Sequence, residues 1–272
     1  MKDELVKNTC VVRNTAKNRG RHRSVAPGTT AARYLHYGRI ILDATDAPLP
    51  IETGDHETAL IALKGNATVT TGGQSYALAP YDTLYVPRDS SVLVKAESGG
   101  CDIAEVSAPV TGKYPLQYVP FADVKKDPGL CFKAGATPAE RTIHILVGKN
   151  MAAGRLMAGV TFSAPGNWTS WPPHEHAELA EEAYLYIDMP APGFGVQLVY
   201  SDPTEPELAV VVREGDVVLM PKGYHPNVAS PGGSIGFLWM MAANRETEDR
   251  KFGVVNVQPG FGEKGSGLEA GR

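Results

Sequence analysis

Cysteine is scarce in this chain. Cys10, Cys101 and Cys131 are its only three, far apart in sequence and without a CxxC pair. That excludes a disulfide framework and a thiolate zinc finger, and it points to a reducing compartment. Long apolar runs are missing too: none approaches the roughly 20 residues that a membrane-crossing helix needs. The opening "MKDELVKNTC" is charged and lacks the apolar stretch of a secretory signal. Strong net charge is also absent. A balance of −4 and a pI near 6.0 argue against nucleic acid or an anionic membrane as the main partner. The one basic run, "RNTAKNRGRHR" at 13–23, reads as a solvated or interface arm. The expectation is a soluble cytoplasmic protein that binds neither nucleic acid nor membrane.

Helix-period stretches are scarce as well. In their place, short β-branched or aromatic runs alternate with turn residues, in a chain with 29 glycines and 21 prolines. Within "ALIALKGNATVTTGGQSYALAPYDTLYVP" (59–87), "ATVT" predicts a strand and "TTGGQ" a hairpin turn. "SYALAPYDTLYVP" adds two short strands, and "SVLVKA" and "CDIAEVSAP" continue the meander. The second half repeats the arrangement in "RLMAGVTFS", "EAYLYIDM", "GFGVQLVYS", "ELAVVVREGDVVLMPKG" and "SIGFLWMMAA". Regular strand spacing of this kind predicts an all-β sandwich or barrel.

The halves match at one place. Asp82 precedes Pro87 by five residues in "YALAPYDTLYVPRDSSV", and Asp216 precedes Pro221 by five in "VVVREGDVVLMPKGYHP". This predicts an internal duplication of a unit of about 100 residues. The expected layout is an arm (1–23), a first barrel (24–110), a linker (111–138), a second barrel (139–245) and a loose tail (246–272).

Candidate chemistry concentrates in "SWPPHEHAELAEEAYLY" (170–186). His174 and His176 are two apart, so on a strand their rings share a face. The strand beginning at "EAYLY" puts Glu182, Tyr184 and Tyr186 on one face, taken as the interior, and Glu181 on the other unless a bulge exchanges the two. "GDVVLMPKGYHPN" (215–227) supplies a third histidine, His225, just past a glycine turn. The first half has only His56 and Glu57 to offer at the corresponding place and no HxH. Imidazole and carboxylate donors suit one divalent ion, zinc first, with manganese or iron as alternatives.

An HxH, a following Glu and a later "G-x5-P-x-G…H" form the paired motif of the cupin superfamily, which this chain resembles. Five residues separate His176 from Glu182 and one separates Gly223 from His225, which departs from the common cupin spacing. "GNWTSWPPHEH", "EEAYLY", "GFGVQLVYSD", "GDVVLMPKGYHP" and "RTIHIL" are similar to the 5-deoxy-glucuronate isomerases of inositol catabolism. Those enzymes are relatives of the 5-keto-4-deoxyuronate isomerases of pectin breakdown. The resemblance covers roughly 138–245 and implies a bicupin of two tandem jelly-roll β-barrels with few short helices. It also implies metal ligation by His174, His176, Glu182 and His225, and conversion of 5-deoxy-glucuronate to 5-dehydro-2-deoxy-gluconate. Two segments differ from those isomerases: the loop "AELAE" is shorter, and "RKFGVVNVQPGFGEKG" replaces an aromatic, His- and Asp-containing C-terminal stretch.

Such an aldose–ketose isomerisation of a small sugar acid needs an enediolate to be stabilised and a proton to be moved. Tyr184 and Tyr186 are candidates for the proton transfer. Arg141 and Lys222 are candidates for holding the substrate carboxylate. Gln197 and Tyr200 could contact hydroxyls, and Trp168 and Trp171 could wall a sugar ring. Each of these has packing or a surface ion pair as its alternative, and His144 has a core role. An iron dioxygenase acting on a small organic acid and a non-enzymatic sugar-acid sensor are the rival functions. A homo-oligomer is expected, since bicupins often bury strand edges against one another.

Overall fold

Two long strands, His56–Thr71 and Ser91–Pro109, organise the first half of the protein, whose computed structural model describes residues 5–261. They pair antiparallel, with register shifts at Ala62/Lys64 and Gly65/Ala67. These bulges let the pair turn a corner. Gly65 sits there at φ +67°, and a Cβ on it would overlap the Gly100 carbonyl, so only glycine fits. Gly20–Val25, His36–Leu42, Thr83–Val86 and Gln117–Val119 complete the main path of this eight-stranded sheet. Beyond the corner, Gln74–Leu78 pairs with one long strand and Leu49–Glu52 with the other.

The second half sets a seven-stranded sheet and a four-stranded sheet as a sandwich. Val217–Met220, Ala180–Ile187, Gly236–Ala243, Leu156–Ser163 and Arg141–Val147 are consecutive neighbours in the larger sheet. Trp168–Thr169, Asn227–Ala229, Gly195–Val199 and Leu208–Val212 form the smaller one. Among the described residues helix is limited to the four-residue turns Lys7–Cys10 and Phe121–Val124 and a short 3-10 turn, none long and apolar enough to cross a membrane. The architecture is all-β with two tandem jelly rolls, as expected. Among the described residues neither jelly roll closes into a hydrogen-bonded ring, so each is an open sandwich.

The strands read as continuous apolar runs because both of their faces are covered. In His56–Thr71, Leu60, Ala62, Ala67 and Val69 face the core of the first jelly roll. Ala59, Ile61 and Leu63 join instead a cluster shared with Leu146, Leu185 and Val218 of the second half. Alternation along the strand thus separates an internal core from an interface between the halves.

Two buried glutamates fasten that interface by a reciprocal exchange. Glu57, at the start of its strand in the first half, accepts from the backbone N–H groups of Gly154, Arg155 and Leu156 in the second (2.7, 2.6 and 2.8 Å). Glu181, at the start of Ala180–Ile187, accepts from those of Arg33, Tyr34 and Leu35 in the first (2.6, 2.6 and 2.5 Å). The duplicated aspartates match as well. Asp82 accepts from the N–H of Ala79 and Asp216 from that of Arg213, each three residues back.

The arm is more than a solvated tail. Val11 and Val12 pair with Val218 and Val217 at the edge of the larger second sheet, and Arg13 meets Asp216 at 2.6 Å. Arg21 binds Glu105 through two nitrogens, so the basic run is largely spent on internal carboxylates. Gly20–Val25, which straddles the expected end of the arm, is the first sheet's outermost strand. Within 111–138, Gln117–Val119 belongs to the first sheet and Cys131–Ala134 to the second, so this stretch is woven into both.

Candidate metal centre and its cavity

His174 lies in the two-residue strand His174–Glu175, which pairs with Asn256–Val257 of the tail and not with either large sheet. His176 follows it, and Glu182 stands in Ala180–Ile187. His225 comes from the turn between Val217–Met220 and Asn227–Ala229. That turn is held tightly. Gly223 adopts φ +89°, a Cβ on it would come within 2.8 Å of the Tyr200 carbonyl, and Tyr200 and Tyr224 exchange backbone hydrogen bonds of 3.0 and 2.8 Å.

All three imidazoles are oriented by the same device. Nδ1 lies 2.8 Å from the Pro172 carbonyl in His174, 2.9 Å from Gly223 in His225 and 3.3 Å from Ala180 in His176. A carbonyl oxygen can only accept, so each Nδ1 donates and each Nε2 is left for another partner. One ligand atom from each of the three histidines lies within 4.8 Å of the others. The Glu182 Oε2 stands 2.8 Å from His176 Nε2 and 3.1 Å from His225 Nε2.

His225 Nε2 lies near the carboxylate yet has no aligned hydrogen-bond partner, although the residue is only 1% exposed. A buried polar atom without a partner calls for one. The donor set also has the chemistry for a divalent cation: three imidazoles and a carboxylate, with no thiolate. Burial pushes the Glu182 carboxyl up, but His176 and His225 outweigh it and hold it well below the usual range. Burial, with His225 and His176 beside it, lowers His174 to about 3, so its ring is neutral at physiological pH. Burial also lowers His176, and Glu182 more than offsets this, raising it.

His174, His176 and Glu182 line a cavity of about 150 Å³. Phe237, Trp239 and Met241 of Gly236–Ala243 line it too, on alternate positions of one strand. Tyr184 stacks on Phe237 at 4.2 Å between ring centroids, and its hydroxyl pairs with Ser170 Oγ at 2.8 Å. Residues 251–255 of the tail complete the lining.

A model of the KduI/IolB family matches residues 10–254. The chain belongs to that family. It is 33% identical over 236 residues to a 5-deoxy-glucuronate isomerase of Geobacillus kaustophilus, covering 80% of this chain and 83% of that one. Among solved structures it is similar to an IolB-like protein of Salmonella typhimurium, with a TM-score of 0.80 at 23% identity over 92% of this chain and 96% of that one. The fold extends to an oxalate decarboxylase of Bacillus subtilis with Mn(II) centres, with a TM-score of 0.63 at 13% identity, covering 94% and 81% of the two chains.

In this KduI/IolB chain, Tyr184 reaches the cavity and Tyr186 does not. Tyr186 donates to Gln197 Oε1, and burial raises both phenols well above their usual range. Gln197 is fully committed: its amide donates to the carbonyls of His225 (2.8 Å) and Pro226 (3.2 Å). It holds the backbone of a histidine and has no donor left for a sugar hydroxyl. Arg141 is also elsewhere. Its guanidinium donates to the carbonyls of Ala139 (3.0 Å) and Trp171 (2.6 Å), and burial lowers it to about 10.

Lys222 does not line the cavity either. Tyr200 donates to Gln258 at 2.8 Å, and Trp168 and Trp171 line a separate hollow with residues 135–139. His144 packs between Phe121 and Phe162. The sequence assigns no role to Ser170, and its unusual segment "RKFGVVNVQPGFGEKG" is expected to border the substrate within an otherwise loose tail. Residues 262–272 of the expected loose tail lie outside the described residues, but 250–258 is sewn across the site. Arg250 donates to the carbonyls of Leu156 (2.8 Å) and Gly148 (2.7 Å), Phe252 stacks on Trp239, and Asn256 donates to Glu175 (2.6 Å). The signal for it was the unusual "RKFGVVNVQPGFGEKG" itself.

Proposed function

We propose that the protein is a metal-dependent aldose–ketose isomerase of a deoxy-uronic acid, converting 5-deoxy-glucuronate to 5-dehydro-2-deoxy-gluconate in inositol catabolism. The observation that carries this is the meeting of three oriented imidazoles and the Glu182 carboxylate beside one small cavity, which His174, His176 and Glu182 line. Membership of the KduI/IolB family and the curated isomerase relatives support it. One divalent ion per chain, zinc or alternatively manganese or iron, would be held by His174, His176, Glu182 and His225. It would supply Lewis-acid polarisation of the substrate carbonyl.

The chain's own residues do the rest. The Nδ1 bonds to Pro172, Ala180 and Gly223 keep the rings in a fixed orientation. Gln197 holds the His225 backbone in place. Tyr184 presents a phenolic O–H backed by Ser170, and moves a proton at its Oη to a substrate oxygen. The apolar lining, with Phe237, Trp239 and Met241, keeps bulk water from the reacting carbons. We place this enzyme in the cytoplasm, as a homo-oligomer whose partner is a small sugar acid and neither nucleic acid nor membrane.

The test is to incubate metal-loaded protein with a panel of uronic acids under anaerobic conditions and follow aldehyde loss by NMR. Conversion of 5-deoxy-glucuronate without oxygen is expected. No conversion of any aldose acid, with the metal intact, refutes the isomerase; turnover only in air identifies a dioxygenase.

A further inference from the structure

The lining of the cavity divides sharply by chemistry. Apart from the histidines and Glu182, only Thr161, Ser170, Tyr184 and the Trp239 indole N–H offer hydrogen bonds from uncharged side chains among the described residues. Among the described residues the remainder is apolar with a single exception, Lys251. Its backbone is fixed from both sides. Arg250 is tied to Leu156 and Gly148, and Phe252 stacks on Trp239 at 5.6 Å. The nearest acid in sequence, Asp249, is buried and already held by Arg245 at 2.7 Å. Among the described residues no carboxylate forms an ion pair with Lys251. Lys251 is exposed; a lysine that borders an apolar cavity and has no carboxylate paired to it favours an anion that enters there.

We infer that Lys251, carried on the strap 250–258, binds the carboxylate of the substrate, and that the apolar lining selects acids whose carbon chain bears few hydroxyls. A hydroxyl pressed against Phe237 or Phe252 would lose its water partners without replacement. The assignment of the opposite, reacting end of the ligand rests on the isomerase proposed above. The role of Lys251 does not need turnover to be seen.

The experiment uses the metal-loaded full chain and calorimetric binding of two probes that cannot isomerise. One is the deoxy-hexonic acid obtained by reducing the aldehyde of 5-deoxy-glucuronate, and the other is its uncharged primary amide. Wild type should bind the acid at least tenfold more tightly than the amide. Lys251→Met should weaken the acid by roughly ten- to a hundredfold, as for loss of a charge-assisted hydrogen bond, and leave the amide unchanged. Lys251→Arg should retain most of the acid's affinity. Equal effects of Lys251→Met on acid and amide, or no effect on either, overturn the assignment, as does a wild type that prefers the amide.

A third probe restores the hydroxyl missing from the deoxy carbon, and it should bind at least tenfold more weakly than the deoxy acid. Equal affinity overturns the selection by the apolar lining. Separately, carboxylate-dependent binding in a protein that turns over no aldehyde acid would sink the isomerase while leaving Lys251 in its role.

Discussion

Replacing Glu57 by glutamine perturbs one atom of the interface between the two jelly rolls. Glu57 is 0% exposed, and among the described residues no lysine or arginine forms an ion pair with it, so its charge is held mainly by hydrogen bonds. Oε1 accepts from the N–H groups of Arg155 (2.6 Å) and Leu156 (2.8 Å), and Oε2 from Gly154 N–H (2.7 Å) and the Tyr85 hydroxyl (2.5 Å). A glutamine amide keeps the oxygen best at the first position and turns its NH₂ towards the second. The Tyr85 hydroxyl can reverse and accept, but Gly154 N–H then faces another donor. One buried donor left unsatisfied costs about 1–3 kcal/mol, and loss of charge assistance at the two retained bonds adds about 1 kcal/mol.

Relief of the buried charge offsets part of this, so a net loss of about 2–4 kcal/mol is expected. At roughly 2–4 °C per kcal/mol for a chain of this size, the melting temperature should fall by about 5–15 °C. Urea unfolding followed by tryptophan fluorescence measures the difference. Glu52→Gln, at an exposed carboxylate that accepts only from Ser91, is the control and should change little. A loss below about 1 kcal/mol in Glu57→Gln would mean that the three backbone bonds add nothing over water, and the clasp would be wrong.

Glu181→Gln should be comparably destabilising, because its three backbone acceptor contacts mirror those of Glu57; urea midpoints of the two variants should match within about 1 kcal/mol. His174→Ala should abolish both bound metal and turnover, and retained metal by elemental analysis would move the centre elsewhere. Tyr184→Phe should keep the metal and lower kcat by roughly a hundredfold or more, and activity within a few-fold of wild type would remove Tyr184 from proton transfer. Burial, with His56 and Arg23 nearby, lowers His36 to about 4 from 6.5. The unfolded chain therefore takes up a proton that the folded one refuses, so this contribution is whole above pH 6.5 and is lost as pH falls towards 4. Discounted for partial exposure, it is worth about 1–2 kcal/mol. His36→Gln should flatten the acid limb of stability by that amount, and an unchanged limb would refute it.

The short apolar runs between turns foretold an all-β fold, because strands buried on both faces leave that mark wherever they fall in the chain. The meeting of His174, His176, Glu182 and His225 was legible for a related reason. Few side chains suit a divalent ion, and the period of two along a strand separates Glu182 from Glu181 without any coordinates. What Glu181 does instead was not legible: its partners, residues 33–35, are about 150 positions away, and backbone N–H groups carry no residue-type signature. Arg141 and Gln197 were plausible substrate contacts by chemistry alone, and tertiary packing spent their donors on carbonyls. The tail reversed most. A stretch with little local propensity gains its order from the strand it adds beside His174 and from Phe252 on Trp239. Residue chemistry and strand period, both local, were thus determined by the sequence itself. Which buried donors find which acceptors across the molecule was decided only when the chain had folded.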